Sequence, residues 1–366
     1  MRIVIARLLY INIGEPTTSG ATTIVVELLN RLPKFQVNVG LVELLFKDEK
    51  SLIEKFPKVK ENLSYYREIR LRNKKTFKGR VIRYLTINSS FKGYINNLAK
   101  NYDFVIGFNT KNSIIMHYLE PYITFPLYKH YINLVKNTNI IEGTVWFIKS
   151  IDGIKKSRKS NKNICLGKVL QDVLWRDFGI SCFALEPPAG VDFDLINSSP
   201  ALNGFDVIHV ARQGFMKGTP DAVKVVSELN LSHAFIGPVD QGFSMPQVNY
   251  LGEIPDKRRL YGIMKGSRVF LYPSRVDSFG IVVAEALASG LPVVAYNIPA
   301  IKYYFGDCEA VKLVEVGDIQ GLVKGVKEMI NGEYKNVARE CVKKYSWEET
   351  TKSFTNILQK LKKEKT

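Results

Sequence analysis

The sequence predicts an α/β protein with two doubly wound, Rossmann-like domains facing each other across a cleft. Short β-branched and aromatic runs alternate with helical patterns along most of the 366 residues, and this alternation occurs twice. A stretch rich in Pro, Gly and Ser, ISCFALEPPAGVDFDLINSSPALNG, separates the two halves. We therefore expect a first domain over 1–186, a linker over 187–204, a second domain over 205–345 and a C-terminal helix over 346–366 that returns toward the first domain.

The first half opens with the strand RIVIARLLYI, the loop NIGEPTTSGATT, the helix IVVELLNRL and the strand VNVGLVELL. NYDFVIGFN and PYITFPLY have the composition of further strands, and DVLWRDFGI has that of a helix.

The second half repeats the pattern. The strand FDVIHVA leads into the loop RQGFMKGTP and the helix DAVKVVSEL, whose expected N-cap is Thr219 or Asp221. The strands HAFIG, SRVFLYPS and LPVVAY follow, with the helix FGIVVAEALASG before the last of them, and Gly290 is placed to end that helix. The C-terminal SWEETTKSFTNILQKLKKEK is an amphipathic helix expected to dock on the outside.

Two acids, Asp277 and Glu285, stand eight residues apart in an otherwise apolar segment. At about 100° per residue they lie within roughly 80° of two full turns, so both can face one cleft. Backbone N–H groups at the start of the helix, around Ser278 to Ile281, would suit an anion or sugar hydroxyls. The alternative is structural, with Asp277 a helix cap and Glu285 a hydrogen-bonded buried acid.

A second candidate anion site is the loop after FDVIHVA. The strand delivers Arg212, and the loop delivers Lys217 and Gly218 just before a helix. Arg offers a bidentate fork and Lys a mobile point charge, so the pair is able to hold a diphosphate.

The net charge of +17 lies mostly in residues 1–200, which contribute +13 of it. It peaks between Lys55 and Arg83, where cations alternate with Tyr and Phe. Such a patch attracts anionic lipid, nucleic acid or a charged substrate, although a solvated, salt-bridged surface has the same composition. We expect peripheral attachment to the inner face of the cell membrane, through four residues in particular: Arg70, Arg72, Lys74 and Lys75.

The four cysteines, at positions 165, 182, 308 and 341, include no C-x-x-C pair. Their scatter indicates neither a zinc site nor a disulfide framework, so a reducing cytoplasm fits best. The N-terminal apolar run is interrupted by Arg7 and lacks a cleavage site, which argues against a signal peptide. No apolar run is long enough to span a bilayer.

Taken in order, these motifs resemble the retaining GT-B glycosyltransferases of family 4, also called glycosyl transferases group 1. HVARQGFMKGTPDAVKVVSEL is similar to the family's phosphate loop, DSFGIVVAEALASGLPVVA to its E-x7-E element and YSWEETTKSF to its closing helix. In the first half, TTSGATTIVVELLNRL is similar to the Gly loop, and PPAGVD is similar to the Asn-Gly-Val-Asp linker.

The resemblance implies a hexosyltransferase that uses a nucleotide-diphosphate sugar with UDP or GDP, retains the anomeric configuration and needs no metal or other cofactor. Arg212 and Lys217 would bind the diphosphate, and Glu285 would bind the ribose. Asp277 would hold the transferred sugar, helped by N–H groups near three residues: Phe279, Gly280 and Ile281. Gly20 would let the first-domain backbone approach the phosphates. The acceptor would be a lipid-linked or polysaccharide precursor.

The sequence departs from the family pattern at several positions. Asp277 stands where Glu is usual, and Ala189 stands where Asn is usual. The catalytic histidine of the first domain has no clear counterpart; His130 is the best candidate and His117 the second. Asp192-Phe193-Asp194 imitates a metal-binding D-x-D, but we interpret it as structural. The residues leave open an epimerase or phosphorylase, or a basic nucleic-acid or membrane binder with a degenerate donor site.

Overall fold

The structure, a computed structural model, describes residues 7–12, 20–71, 89–110, 112–118, 140–240 and 243–364. The chain divides into two compact units. Unit 1 comprises Met1–Tyr118, Gly153–Glu186 and Trp347–Thr366, and unit 2 comprises Leu119–Asp152 and Pro187–Ser346.

Seven parallel strands form the sheet of unit 1 within the described residues. They are β1 (Arg7–Asn12), β2 (Asn38–Leu45), β3 (Tyr65–Arg70), β4 (Phe104–Ile106), β5 (Ser113–His117), β6 (Asn163–Cys165) and β7 (Phe183–Ala184). Their order is β3-β2-β1-β4-β5-β6-β7, so the direction of winding reverses between β1 and β4. β2 is buried along almost its whole length, as expected for an inner strand of a parallel sheet.

The described helices of unit 1 alternate with these strands along much of the chain. They are Gly20–Arg31, Leu52–Lys55, Lys58–Glu61, Ser89–Ala99, Lys168–Phe178 and Trp347–Lys363, with a 3₁₀ turn at Leu32–Phe35. The helix Ile140–Lys159 includes residues of both units. The last helix has the predicted amphipathic pattern, because Phe354 and Leu358 are fully buried while Lys352, Lys360 and Lys363 face solvent. Two ion pairs also anchor it within unit 1, Glu348 with Arg31 at 3.1 Å and Lys362 with Asp103 at 2.9 Å.

Unit 2 has a parallel sheet of six described strands. They are β8 (Val207–Val210), β9 (His233–Ile236), β10 (Tyr250–Gly252), β11 (Val269–Tyr272), β12 (Val293–Tyr296) and β13 (Val311–Val314). The order β10-β9-β8-β11-β12-β13 reverses between β8 and β11, as in a dinucleotide-binding fold. β8, β11 and β12 are buried throughout, which explains why they are apolar except for the buried His209 of β8.

The helices of unit 2 complete the βα alternation. They are Phe193–Ser198, Thr219–Leu229, Lys257–Gly266, Ile281–Ala288, Pro299–Phe305, Ile319–Met329 and Lys335–Val342. The predicted strands and helices of the second half all occur within a few residues of their expected positions. The strand predicted for PYITFPLY lies outside the described residues.

The linker motif has a structural role. Asp192 accepts a hydrogen bond from the Leu195 N–H at 2.9 Å and thereby caps the helix Phe193–Ser198. Ala189 and Val191 are buried. The side chains of this segment therefore start a helix and fill the core, as the structural interpretation of D-x-D predicts.

The prediction that the cysteines form no disulfides is wrong. Cys165 and Cys182 form a disulfide in unit 1, and Cys308 and Cys341 form another in unit 2. The pairs are 17 and 33 residues apart in sequence and meet only through tertiary folding, so a search for close spacing misses them. Disulfides are uncommon in a reducing cytoplasm, and the cysteine pattern therefore no longer supports that location.

Within the described ranges, no helix combines the length and the apolar character that crossing a bilayer requires.

Candidate functional site

The candidate site lies at the carboxyl ends of β8 and β11, where the strand order of unit 2 reverses. These two strands pair directly, with Val269 beside Val207 and Phe270 beside Ile208. The loop after β8 carries Lys217, and the loop after β11 carries Asp277. Reversal points of open α/β sheets are where such folds bind ligands.

The two loops approach each other closely. A Cβ on Gly218 would lie 1.9 Å from the carbonyl oxygen of Pro273, and Gly218 has φ +71°, so only glycine fits there. The backbone N–H of Arg275 donates to the Met216 carbonyl at 3.0 Å. Lys217 Nζ donates to the Val276 carbonyl at 3.1 Å. The loops therefore form one connected surface.

Asp277 accepts five hydrogen bonds from this surface. Oδ2 accepts from Lys217 Nζ at 2.8 Å and from Tyr272 Oη at 2.6 Å. Oδ1 accepts, at 2.8, 3.1 and 2.9 Å, from three consecutive backbone N–H groups, those of Ser278, Phe279 and Gly280. A carboxylate has about four lone-pair sites, so the protein alone saturates this one.

Three of the four N–H groups that the sequence predicted for a ligand already have a partner within the protein. The N–H groups of residues 278–280 are directed at Asp277, and the first helical residue is Ile281. The Phe279 ring is also buried, packed against an aromatic cluster of Tyr304, Phe305 and Tyr345 with centroid distances of 4.9–5.3 Å. Asp277 thus closes the loop that precedes the helix, whereas the N-cap is Gly280 and receives no side-chain cap.

Electrostatics keep the Lys217–Asp277 pair charged. Burial by itself would raise the pKa of Asp277, but the Lys217 ammonium and the hydrogen bonds it receives outweigh burial and lower this pKa to about 2. Burial would lower the pKa of Lys217, and the Asp277 charge reverses this and raises it. Burial and the same carboxylate raise the pKa of Tyr272, which remains a donor at neutral pH.

Glu285 has a separate set of partners. Its Oε1 accepts from Lys257 Nζ and from Tyr261 Oη, both at 2.7 Å, and the residue is only 6% exposed. Residues 277–280 precede the helix Ile281–Ala288, so the helical angle between the two acids does not apply. Each acid instead has its own lysine and its own tyrosine.

Arg212 lies at the end of β8, half-exposed. Its Nε is 3.7 Å from Asp240 Oδ1. Burial raises the pKa of Asp240, while Arg212 and Lys217 act in the opposite direction, so all three groups share one electrostatic environment.

The predicted N-cap of the helix Thr219–Leu229, Thr219 or Asp221, is wrong, because the N-cap is Gly218. The Thr219 hydroxyl instead accepts from the N–H of Gly214 at 2.9 Å, and Asp221 forms a buried ion pair.

The remaining predicted residues come from the first half of the sequence. Gly20 is exposed at the first position of the helix Gly20–Arg31, after β1. His130 lies outside the described residues. His117 is 3% exposed, its Nε2 lies 3.2 Å from Asn163 Oδ1, and burial lowers its pKa. His117 is therefore a poor candidate for an exposed catalytic histidine.

The basic segment is also covered only in part. Arg70 ends the edge strand β3, and its guanidinium contacts the carboxylates of Glu68 and Glu54 and the carbonyl of Glu49. Arg72, Lys74 and Lys75 lie outside the described residues.

Sequence reasoning missed four side chains of the site: Tyr272, Tyr261, Lys257 and Asp240. Both tyrosines occupy positions whose pattern indicates core, and only the structure shows that their hydroxyl groups reach an acid. Lys257 directly follows Asp256, the N-cap of its helix, and the sequence IPDKRRL could have indicated a cation at this helix start. Among the described residues, no cluster of His, Cys, Asp or Glu could hold a metal ion. The metal-free mechanism stays a prediction.

Residues 243–346, which contain the Asp277 loop and Glu285, match the family model described as glycosyl transferases group 1. This segment is a group 1 glycosyl transferase domain. The resemblance seen in the sequence is confirmed at that level, while family 4 membership and retention of configuration stay predictions.

Curated relatives match the chain over about half of its length. A phosphatidyl-myo-inositol mannosyltransferase of Mycobacterium leprae (strain TN) is 25% identical over 197 residues, which cover 47% of this chain and 52% of that protein. The chain spans about half the length of the curated relatives it matches.

Solved structures resemble this chain over nearly its whole length. Sucrose-phosphate synthase from Thermosynechococcus elongatus has a TM-score of 0.73 at 16% identity, covering 97% of this chain and 99% of that one. Anabaena Alr3699/HepE in complex with UDP and glucose has a TM-score of 0.67 at 14% identity, covering 97% and 100%. The fold is GT-B, which confirms the predicted fold class.

Proposed function

We propose that the protein is a retaining glycosyltransferase that moves a hexosyl group from a nucleotide-diphosphate sugar to an acceptor. The observation that carries the proposal is the pairing of two loops at the reversal point of unit 2. They place Lys217 against the loop that precedes the helix Ile281–Ala288, and Arg212 and Lys217 both act on Asp240. The second loop lies inside the group 1 match. The UDP in the Anabaena structure supports a nucleotide donor.

The proposed roles follow from the contacts. Arg212 and Lys217 neutralise the donor diphosphate, and as fixed cations they stabilise the charge that develops on the leaving group, without a metal. Glu285, held by Lys257 and Tyr261 through Oε1, receives the ribose hydroxyls. The saturated carboxylate of Asp277 orients Lys217 and the helix start, so we no longer assign it a direct contact with the sugar.

A thermal-shift screen tests donor binding. We expect UDP or GDP, and its sugar conjugates, to raise the melting temperature, because a ligand at 100 times its Kd adds about 2.7 kcal/mol to the stability of the native state. The shift should be the same with EDTA and with Mg²⁺. Failure of every nucleoside diphosphate and nucleotide sugar to raise the melting temperature would contradict the proposed function. Tight, salt-sensitive binding of nucleic acid in its place would favour the basic binder.

We further propose a lipid-linked acceptor at an anionic membrane surface. The name of the M. leprae relative and the net charge of +17 support this choice. Arg70 is already paired with carboxylates, so the attraction would fall mainly to Arg72, Lys74 and Lys75.

Vesicle sedimentation tests the membrane proposal. Binding to anionic vesicles should be reversed by salt and should weaken by roughly 100-fold or more when Arg72, Lys74 and Lys75 are changed to Glu, since each cation near the surface contributes about 1 kcal/mol. Arg70→Glu serves as the matched control and should have a smaller effect. Equal binding to neutral and anionic vesicles would leave a soluble acceptor as the better proposal.

A further inference from the structure

A further ion pair, between Arg275 and Asp221, lies close in the chain to Lys217 and Asp277, and the proposed reaction does not use it. The guanidinium of Arg275 donates to Asp221 Oδ2, which also accepts from Tyr296 Oη at 2.8 Å. Asp221 and Tyr296 are buried, and the Arg275 side chain is only 22% exposed. Arg275, Asp221 and Tyr296 thus form a third group of one cation, one acid and one tyrosine.

This group joins the elements that carry the site. Asp221 lies in the first turn of the helix that follows Lys217, and Arg275 lies two residues before Asp277. Tyr296 ends β12. The ion pair therefore connects the helix that follows Lys217 to the loop that carries Asp277. It is a second link between these two segments, in addition to the Lys217–Asp277 contact.

An exposed aromatic ring covers the guanidinium. Phe215, two residues before Lys217, is 61% exposed, and Arg275 Cζ lies 4.8 Å from the centroid of its ring. The Tyr296 ring lies 5.6 Å from the same carbon. Stacking between two rings suits the planar guanidinium of arginine and would not be reproduced by lysine.

Stability alone is a poor explanation of this arrangement. Desolvation offsets most of the attraction in a buried ion pair, and apolar replacements of both partners are often equally stable. Arg275 Nη1 is, in addition, buried without a hydrogen-bond partner among the described residues. What the pair does supply is a fixed geometry, because it connects the two loops and orients the residue that stacks on it.

We propose that Arg275 is a positioning residue for Lys217. Through Asp221, the Phe215 ring and its backbone contact with Met216, it holds the Lys217 loop so that the ammonium stays at the reversal point of the sheet. This inference rests on the proposed function, since the ligand that profits from a fixed ammonium is the donor diphosphate.

A double-mutant cycle tests the positioning role. We titrate UDP and GDP into the wild type, Lys217→Met, Arg275→Met and the combined variant. Residues that act through one another are not additive, so Lys217→Met should cost at most about 3-fold in the Arg275→Met background, against roughly 10- to 150-fold in the wild type. Arg275→Met should weaken nucleoside diphosphate binding and leave binding of the bare nucleoside unchanged.

Folding and ligand identity need separate controls. Arg275→Met/Asp221→Asn removes both charges and avoids an unpaired buried acid. Arg268→Met is the matched control, because Arg268 pairs with Asp206 at 3.0 Å at the opposite, amino ends of β8 and β11. A ligand-free readout is the carboxyl NMR titration of Asp277, whose pKa should rise from about 2 in both Arg275 variants and stay in place in Arg268→Met.

The outcomes separate the two proposals. Additive costs of Lys217→Met and Arg275→Met, or an Asp277 titration unaffected by both Arg275 variants, would overturn the positioning role while wild-type binding of UDP or GDP upheld the proposed function. If neither nucleotide binds the wild type, the proposed function fails and the Asp277 titration alone decides whether Arg275 positions Lys217.

Discussion

Replacing Lys217 by methionine is expected to weaken nucleoside diphosphate binding by roughly 1.5–3 kcal/mol, or about 10- to 150-fold. The variant loses the ammonium group at the reversal point of the sheet. In the wild type this group donates to the Val276 carbonyl at 3.1 Å and to the Asp277 carboxylate at 2.8 Å. Asp277 keeps the other donors, Tyr272 and the three loop N–H groups, so the loop should stay folded. Calorimetric titration of UDP or GDP measures the loss.

Lys224→Met is the matched control for this experiment. Lys224 lies on the same helix, Thr219–Leu229, but faces solvent. The Lys224→Met variant should bind the nucleotide with the affinity of the wild type. Bare nucleoside should bind equally to all three proteins, since only the phosphates need the ammonium. An unchanged diphosphate affinity in folded Lys217→Met would remove Lys217 from the donor site.

Loss of the Cys308–Cys341 disulfide is expected to lower the free energy of unfolding of unit 2 by about 4 kcal/mol. The pair closes a loop with a sequence separation of 33, and the chain-entropy relation assigns about 3.7 kcal/mol to such a loop. Denaturant unfolding of Cys308→Ser/Cys341→Ser, followed by a probe in unit 2, measures the change.

The second disulfide supplies the comparison. Cys165–Cys182 in unit 1 has a separation of 17, for which the same relation gives about 3.1 kcal/mol. A reductant should destabilise the wild type and leave the variant without all four cysteines unaffected. Unfolding curves of the wild type that coincide with and without reductant would show that neither pair contributes.

Sequence patterns predicted four strands of unit 2, β8, β9, β11 and β12, because each is a short, mostly apolar run bounded by turn residues. VFLY before Pro273 and VVAY after Pro292 are examples, and both strands are completely buried. The edge strand β3 was not recognised, because its alternating charges and aromatic residues look like a binding patch. Edge strands commonly carry such charges, which discourage pairing with other chains.

The candidate site was predictable in its charges and not in its partners. The positions of Arg212, Lys217 and Asp277 after β8 and β11 were enough to place them at the carboxyl ends of neighbouring strands, whereas Glu285 lies within the helix that follows. Whether Asp277 points to a ligand or folds back onto its own loop depends on backbone angles between residues 277 and 280, which no spacing rule supplies. The same holds for Tyr272 and Tyr261. Their rings fit the hydrophobic pattern of a core residue, while their hydroxyl groups donate to Asp277 and Glu285.

The last helix, Trp347–Lys363, places the completion of unit 1 late in synthesis. This helix buries Phe354, Leu358 and Leu361 and forms ion pairs with Arg31 and Asp103, residues made several hundred positions earlier. Residues 187–346, by contrast, form one uninterrupted run within unit 2. On the ribosome, unit 1 must therefore keep an apolar surface uncovered while most of unit 2 is translated, and its dependence on chaperones during that interval should exceed that of unit 2.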